Sequence, residues 1–234
     1  MVTRSSGSDE AEPEAEIEPA VPVVDAIRAA IANGEFVPNQ RLVEADLSER
    51  FAASRASVRT ALVELASEGL VERVQNRGAR VRAVSLTEAI EITEVRMVLE
   101  GLCAAKAAER LTDDDRDRLR AIGSAMQADI AAGDLLGYSE LNKQLHALVR
   151  ALAGQTTARS ILERLRGQNV RHQFRLAPHP GRASVSLPQH LEIIEALCAG
   201  DPDAAEAAMR RHLRSVVDTL PEVETTRISR FNSL

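Results

Sequence analysis

Two hydrophobic periods follow one another in the first third of the chain. The first has the i, i+3, i+4, i+7 spacing of one buried helical stripe and comprises Val58, Ala61, Leu62 and Leu65. Ser54, a favourable N-cap, precedes this stripe, and Gly69 ends it. After Gly69 the period changes to two, in residues 71–74 and again in residues 79–83. The pattern therefore predicts a helix that runs into a small β-hairpin.

The residues before Ser54 also show a helical pattern. A first apolar stripe comprises Val24, Ile27, Ala30 and Ile31, and Gly34 follows it. A second, shorter helix is predicted at about residues 44–51. Three helices followed by a hairpin predict a winged helix-turn-helix over residues 21–84. Residues 1–20 are rich in Glu, Ser, Pro and Ala and lack an apolar period, so we expect a disordered acidic tail there.

From Ser85 onward the pattern is helical with short breaks. The predicted helices span residues 87–110, 113–132, 135–153, 156–176, 187–199 and 201–220. Short connections favour an antiparallel all-α bundle of about six helices over residues 85–221, followed by a C-terminal tail at 222–234. The predicted fold is therefore mainly α, with a small β wing in the first domain.

The N-terminal tail and the predicted third helix and hairpin have opposite net charges. The whole chain has a net charge of -6, but residues 1–20 contain six acidic side chains and only Arg4. Residues 54–82 contain six Arg and three Glu, so the predicted helix and hairpin are locally positive. A local positive surface is what a phosphate backbone attracts, and the overall negative charge does not exclude nucleic-acid binding.

The amino-acid composition argues against several other classes of protein. Aromatic residues are 2% of the chain and Trp is absent, which argues against stacking of single-stranded nucleic acid and favours duplex DNA. No apolar run approaches the roughly 20 residues that cross a bilayer, and the acidic N-terminus is unlike a signal peptide. Cys103 and Cys198 lie far apart in helical patterns, so we interpret them as buried thiols in a reducing compartment. A soluble, cytoplasmic protein is expected.

The candidate DNA-reading residues lie on the exposed side of the third helix. On a helical wheel, the face opposite the apolar stripe carries Ala56, Arg59 and Thr60, with Arg55 and Ser57 at its edges. Arg55 and Arg59 are the predicted bidentate contacts to guanine O6 and N7. Ser57 and Thr60 are predicted to reach a base edge or a phosphate.

The hairpin supplies a second candidate contact. Arg77 and Gly78 lie at its predicted tip, where Gly allows the main chain to approach the DNA backbone or minor groove. Arg73, Arg80 and Arg82 lie along the strands. For these three, direct phosphate contact and a solvated, weakly attractive face remain alternatives.

Three of the five histidines lie on predicted inner faces of the bundle. His146 follows Leu145, His190 shares a stripe with Ile194, and His212 shares one with Met209. Together with Asn142, one turn before His146, they form a candidate N/O metal cage. Alternatively, each is an ordinary hydrogen-bonded core histidine. His172 could also face the cavity, whereas His179 lies between prolines in a predicted loop.

Arg96 is an unusual residue in a predicted buried stripe of the first bundle helix. A structural salt bridge, with Glu100 as the candidate partner, is one interpretation. The other is an anion-binding Arg that acts with a metal to hold a carboxylate effector.

Over residues 21–220 the chain resembles the GntR superfamily of bacterial transcription regulators, in its FadR-like branch with a C-terminal FCD domain. In the first domain the similarity rests on PNQRLVEADLSERFAASRASVRTALVELASEGLVERVQNRGARV. This segment departs from the family pattern at Asn39, Ala53, Ala56, Ser57 and Thr60. In the second domain the family motif ExRxxLE is present as Glu94, Arg96, Leu99 and Glu100. The family motif DxxFH corresponds to Asn142, Leu145 and His146, and two further helical histidines correspond to His190 and His212.

The resemblance implies function as well as fold. Family members bind a divalent metal through an Asp and three His, and here Asn142 replaces the Asp; an amide oxygen can still be a ligand. A cation with four neutral ligands keeps its full charge, so the cavity should favour an anionic effector. The resemblance implies a homodimeric repressor on a pseudo-palindromic operator that senses a small carboxylate, with Zn, Ni or Mn as the metal.

Two alternatives are weighed against this hypothesis. A metalloenzyme could use three His and an open position to activate water, but no HExxH motif occurs and no acidic residue is evidently placed as a general base. A DNA-binding regulator could instead use the bundle only as a metal-free dimerisation module. Metal content of the purified protein distinguishes this alternative from the sensor.

Overall fold

The computed structural model describes residues 22–74, 78–176 and 181–231. The first domain contains α1 (Val23–Ala32), β1 (Arg41–Leu42), α2 (Glu44–Arg50), α3 (Arg55–Ser67), β2 (Val71–Val74) and β3 (Gly78–Val81). The second contains α4 (Leu86–Ala108), α5 (Asp113–Ala132), α6 (Leu135–Leu152), α7 (Thr156–Leu176), α8 (Arg182–Ala199) and α9 (Pro202–Phe231). The predicted fold, a winged helix-turn-helix followed by a helical bundle, is confirmed.

The start of α3 follows from its sequence. The Ser54 hydroxyl accepts a hydrogen bond from the Ser57 backbone N–H, which satisfies one of the free donors at the helix N-terminus. The predicted apolar stripe of α3 is buried, and it packs with Ile27 of α1 and Leu47 of α2 in one core. Burying this stripe holds the opposite face of α3 in solvent.

The wing has one strand more than the sequence predicted. β1 pairs with β3, and β3 pairs with β2, all antiparallel, in the order β1-β3-β2. β1 has only two residues, Arg41 and Leu42, which is too short for a period of two to be recognised. Leu42 is buried and pairs with Ala79, so β1 anchors the base of the wing to the domain core. The turn between β2 and β3, residues 75–77, lies outside the described part of the chain.

α4 is the central helix of the bundle, and it packs against α6, α7, α8 and most extensively α9. Cys103 of α4 is fully buried as a free thiol, whereas Cys198 is only partly buried. No helix among the described residues combines the length and the apolar content that crossing a membrane requires.

Two predicted helix boundaries in the bundle differ from the structure. α8 starts at Arg182 rather than near residue 187, and α9 continues to Phe231 rather than ending near 220. The segment expected to be a C-terminal tail is therefore helical up to residue 231. Pro188 and Pro221 lie inside these helices. A proline removes one backbone donor and bends a helix, but it does not always end it.

The bundle contacts the first domain at the end of α3. Gln168 of α7 donates a hydrogen bond from Nε2 to the backbone oxygen of Glu68 at 2.7 Å, and Arg164 lies 3.4 Å from the Ser67 oxygen. These carbonyls lack helical partners because α3 ends there. Gly69 has a φ of +73°, and a side chain at this position would collide with the Gln168 amide. Side chains of the bundle thus cap the C-terminus of α3.

The wing provides a test of the fold that uses two matched glycines. Gly78 and Gly34 both have a left-handed backbone, but a Cβ at Gly78 would lie 2.8 Å from the Leu42 carbonyl oxygen, whereas Gly34 has open space around it. We expect Gly34→Ala to cost about 1 kcal/mol, from backbone strain alone. Gly78→Ala should cost about 1 kcal/mol more, because β1 must move.

Urea unfolding followed by far-UV circular dichroism measures the difference. Equal destabilisation by the two substitutions would show that the wing does not depend on the close approach of β1.

Candidate functional site

Three buried histidines from three helices converge inside the bundle. His146 comes from α6, His190 from α8 and His212 from α9. Their ring centroids are 4.4 Å apart for His190 and His212, 5.3 Å for His146 and His212, and 5.8 Å for His146 and His190. Each ring offers one nitrogen within 4.8 Å of the other two. Residues far apart in sequence thus form one compact cluster of nitrogen donors.

Each histidine is oriented by a hydrogen bond at Nδ1. The Nδ1 of His146 lies 2.6 Å from Glu100 Oε2, and that of His212 lies 3.1 Å from Gln189 Oε1. The Nδ1 of His190 lies 2.9 Å from the Tyr138 hydroxyl. Because Nδ1 is engaged in all three rings, Nε2 is the nitrogen left to bind a ligand.

Two buried polar atoms on the helices that carry this cluster have no hydrogen-bond partner among the described residues. They are Nε2 of His190 and Oδ1 of Asn142. A buried acceptor without a partner costs about 1–3 kcal/mol, and a purely structural histidine core leaves both atoms unsatisfied. A divalent cation would bind both. Three imidazole nitrogens and an amide oxygen are a donor set suited to Zn, Ni or Mn, so the residues present fit a metal.

The electrostatics of the cluster favour neutral imidazoles. Burial, the charge of neighbouring His146 and the charge of Arg182 place the pKa of His190 well below its usual value. Burial and the charges of the other two histidines do the same to the pKa of His212. Burial also lowers the pKa of His146, although Glu100 opposes the shift. The neutral ring is the form that binds a metal.

Glu100 is the buried carboxylate at the centre of this region. Burial alone would raise its pKa, but the charges of Arg96 and Arg150 and the hydrogen bond with His146 hold the pKa well below the usual range. Arg96 donates two hydrogen bonds to Glu100 Oε1, at 3.0 Å from Nε and 2.7 Å from Nη2. The salt bridge between Arg96 and Glu100 that the sequence suggested is confirmed.

The sequence did not identify several residues of the site. Arg182 is buried at the start of α8, its Nη1 lies 2.6 Å from Ser215 Oγ, and its charge lowers the pKa of His190 and His212. It was missed because α8 was predicted to start five residues later. Its spacing of four residues from Ser186 and eight from His190 was the available signal. Tyr138, Gln189 and the role of Glu100 as partner of His146 gave no comparable signal.

The predicted DNA-reading residues of α3 lie together on one exposed surface. Arg55, Ser57, Arg59 and Thr60 are all exposed. The Arg59 guanidinium forms a forked ion pair with Glu44 of α2, at 2.8 Å from Nη2 and 3.1 Å from Nε. The Thr60 hydroxyl donates to the Ala56 carbonyl at 3.1 Å. No pattern in the sequence predicted this carboxylate partner of Arg59.

The structure describes all but one of the predicted wing contacts. Gly78 is the first residue of β3, whereas Arg77 lies outside the described residues. Arg80 pairs with Glu72 at 2.7 Å, and Arg82 pairs with Glu88 of α4. Two of the arginines along the wing therefore already have carboxylate partners, which reduces their attraction for phosphate.

An exposed recognition helix and wing, joined to a helical bundle with a buried polar centre, define a DNA-binding regulator with a separate C-terminal domain. The model of the "Bacterial regulatory proteins, gntR family" matches residues 19–81, and that of the "FCD domain" matches residues 91–215, more than half of the chain. The chain belongs to the GntR family of transcription regulators with an FCD domain. It is a DNA-binding transcription regulator and not an enzyme.

Curated relatives agree with this assignment, and a solved structure agrees with the fold. The HTH-type transcriptional repressor RspR of Escherichia coli is 28% identical over 214 residues, which cover 90% of this chain and 94% of RspR. LutR of Bacillus subtilis is 29% identical, with 81% of this chain and 95% of LutR covered. In fold, the chain is similar to E. coli McbR/YncC, with a TM-score of 0.74 at 20% identity, covering 86% of this chain and 95% of McbR/YncC.

The histidine cluster predicts metal binding that can be measured directly. We expect titration of chelator-treated protein with Zn²⁺, Ni²⁺ or Mn²⁺ to give one site per chain and to raise the melting temperature. His212→Ala should weaken binding by about 100-fold or more, because one of few ligands is lost. Asn142→Asp should strengthen binding by about tenfold, because a carboxylate replaces a neutral amide.

Asn142→Ala is the matched control for Asn142→Asp, and it should weaken binding. The absence of stoichiometric metal, together with no thermal shift on adding any of the three ions, would contradict the prediction.

Proposed function

We propose that this protein is a cytoplasmic, homodimeric transcriptional repressor that senses a small carboxylate metabolite. Its DNA-binding domain reads a pseudo-palindromic operator in duplex DNA, and its bundle holds a divalent metal through Asn142, His146, His190 and His212. The observation that carries the proposal is the convergence of three oriented, buried histidines and an unpartnered Asn142 oxygen in the domain behind an exposed recognition helix.

DNA reading is assigned to the exposed face of α3 and the wing. Arg55 and Arg59 are the proposed contacts to guanine, and Ser57 and Thr60 are the proposed contacts to a base edge or phosphate. Arg77 and Gly78 would meet the DNA backbone. Each of the two subunits of a dimer would place one recognition helix in the major groove of a half-site.

Effector binding is assigned to the metal-binding cavity. A bound divalent ion would supply positive charge and an open coordination position for a carboxylate. The four protein ligands are neutral, so this charge stays uncompensated by them. Arg96 is bonded to Glu100, whereas Arg182 is close enough to His190 and His212 to lower their pKa values. We therefore propose Arg182 alongside Arg96 as the guanidinium that holds the effector.

An exposed apolar stripe on α4 supports a homodimer. Val95, Val98 and Leu102 lie on one face of this helix and are each more than a third exposed. Large apolar side chains aligned on a helix face are typical of protein–protein interfaces. Repression is proposed because relatives of similar length, such as RspR, are named repressors. The competing hypothesis, a metal-free dimerisation module, makes the opposite prediction for the metal titration described above.

We propose that α7 couples effector binding in the bundle to DNA binding by α3. It contacts the end of α3 through Gln168 and Arg164, and it also packs against α4 and α9. α4 carries Glu100, the partner of His146, and α9 carries His212. A ligand that shifts either helix would thus act on the helix that caps α3.

Operator reading by Arg59 can be tested with two substitutions. We expect Arg59→Ala to weaken binding to an operator found by in vitro selection by about 10- to 100-fold, from loss of a bidentate contact of about 1–3 kcal/mol. Arg59→Lys keeps the charge but loses the fork, so it should retain non-specific binding and lose selectivity. Unchanged operator affinity in a gel-shift assay would refute the assignment, and size-exclusion chromatography checks that the oligomer is intact.

Coupling through α7 can be tested separately from either binding event. We expect Gln168→Ala to leave metal affinity unchanged within about twofold, while it reduces the effect of metal on operator affinity by about fivefold. Gln127→Ala, an exposed amide on α5, is the matched control and should leave the coupling intact. Operator affinities measured by fluorescence anisotropy, with and without Zn²⁺, give the coupling. An unchanged ratio in Gln168→Ala would argue against this route.

A further inference from the structure

The bundle has a cavity that is not lined by any of the three clustered histidines. It is a groove of about 670 Å³ between α5, α6 and α7. Its polar lining comprises Arg118, Gln144, Arg150, Arg159 and Glu163, and the remainder is formed by Ala, Ile and Leu side chains of α5 and α6. A mostly apolar surface with a few converging polar groups is typical of small-molecule sites.

Positive charge exceeds negative charge along this groove. Arg159 pairs with Glu163 at 2.8 Å, so these two charges offset each other. Arg118 lies 3.7 Å from Asp115, a long and exposed contact. Arg150 is left without an equivalent partner. The groove therefore favours an anion over a cation or a neutral ligand.

Arg150 is the residue that makes this surface unusual. Its side chain is 6% exposed, and its Nη1 has no hydrogen-bond partner among the described residues. The nearest carboxylate oxygen, Glu100 Oε2, is 3.9 Å away and already binds His146 at 2.6 Å. The other Glu100 oxygen binds Arg96. A buried guanidinium donor is costly unless it is satisfied, and Nη1 of Arg150 is not.

The charge count around Glu100 leads to the same conclusion. Two buried guanidinium groups, Arg96 and Arg150, share one buried carboxylate, Glu100. His146 is neutral and does not change this count. This region therefore has one uncompensated positive charge, and it lies where Arg150 lines an open groove. An incoming anion would supply the missing partner.

We propose that this groove binds an organic acid, with its carboxylate paired to Arg150 and its short aliphatic or aromatic body packed on the apolar residues of α5 and α6. This would be a second ligand site, separate from the histidine cluster, and it does not rest on a metal being bound there. The two sites adjoin through Arg150, Glu100 and His146. Pairing of Arg150 with a ligand would change the electrostatic environment of the carboxylate that orients His146.

Calorimetric titration with octanoate tests the proposal in full-length, chelator-treated protein. We expect millimolar or tighter binding of octanoate and at least about tenfold weaker binding of octanamide, which has the same body without the charge. Inorganic phosphate, an anion without an apolar body, should also bind at least about tenfold more weakly than octanoate.

Four variants locate the site. Arg150→Gln should weaken octanoate binding at least about tenfold, whereas Arg120→Gln, an exposed arginine on α5 outside the groove, should change it less than about twofold. Ala147→Leu narrows the groove without altering Arg150, so it should also weaken octanoate binding. This variant keeps the test decisive even where Arg150→Gln does not fold. His212→Ala should leave octanoate binding unchanged, because the histidine cluster is a different site.

The opposite results would overturn the proposal. These are no octanoate binding in the millimolar range, equal affinity for octanamide, or unchanged affinity in both Arg150→Gln and Ala147→Leu. Loss of binding in His212→Ala with retention in Ala147→Leu would assign the carboxylate to the histidine cluster instead. The metal titration of the wild-type protein is independent of each of these outcomes, so failure here does not decide the proposed metal site.

Discussion

Glu100 provides the interaction on which the polar interior of the bundle depends. A carboxylate buried in α4 is tolerated because Arg96 binds one of its oxygens and His146 binds the other. The charges of Arg96 and Arg150, together with the hydrogen bond to His146, hold its pKa well below the usual range. The same contact fixes the tautomer and direction of His146, which turns Nε2 toward His190 and His212. Removing this carboxylate would leave Arg96 and Arg150 as buried, unpaired charges and would release the ring that it orients.

α4 also connects the polar interior to the DNA-binding domain. Its first turn carries Glu88, which pairs with Arg82 just after the wing, and its Ser85 N-cap follows directly from that segment. On the other side, α7 packs on α4 and caps the end of the recognition helix through Gln168. The DNA-binding domain and the bundle therefore meet at two junctions. One lies at the C-terminal end of α3, and the other lies just after the wing. The junction at the end of α3 consists of hydrogen bonds, whereas the junction after the wing also includes Val84, which packs with Ala89, Ile92 and Leu220 in a small apolar cluster.

Local signals account for most of what the sequence predicted correctly. The stripe through Leu65 and the N-cap at Ser54 each depend on residues within one or two turns of each other. The three histidines were placed on inner faces by the same periodicity, and the structure brings them together. Predictions failed where a local signal was weak or was overridden. β1 is too short to show a period, and α8 and α9 extend beyond the spans 187–199 and 201–220 that the periodicity predicted.

By itself, the sequence determined the order of helices and wing, the buried faces, the exposed arginines of α3 and the three candidate nitrogen ligands, because each follows from spacing along one element. Only the tertiary structure decided which partners those residues have. Glu44 lies 15 residues before Arg59, Glu100 lies 46 residues before His146, and Gln168 lies 100 residues after Glu68. Arg182 likewise became part of the site only when α8 was seen to start there. Such pairings depend on how helices that are far apart in sequence pack together. The periodicity of one helix contains no information about which face of another helix it meets.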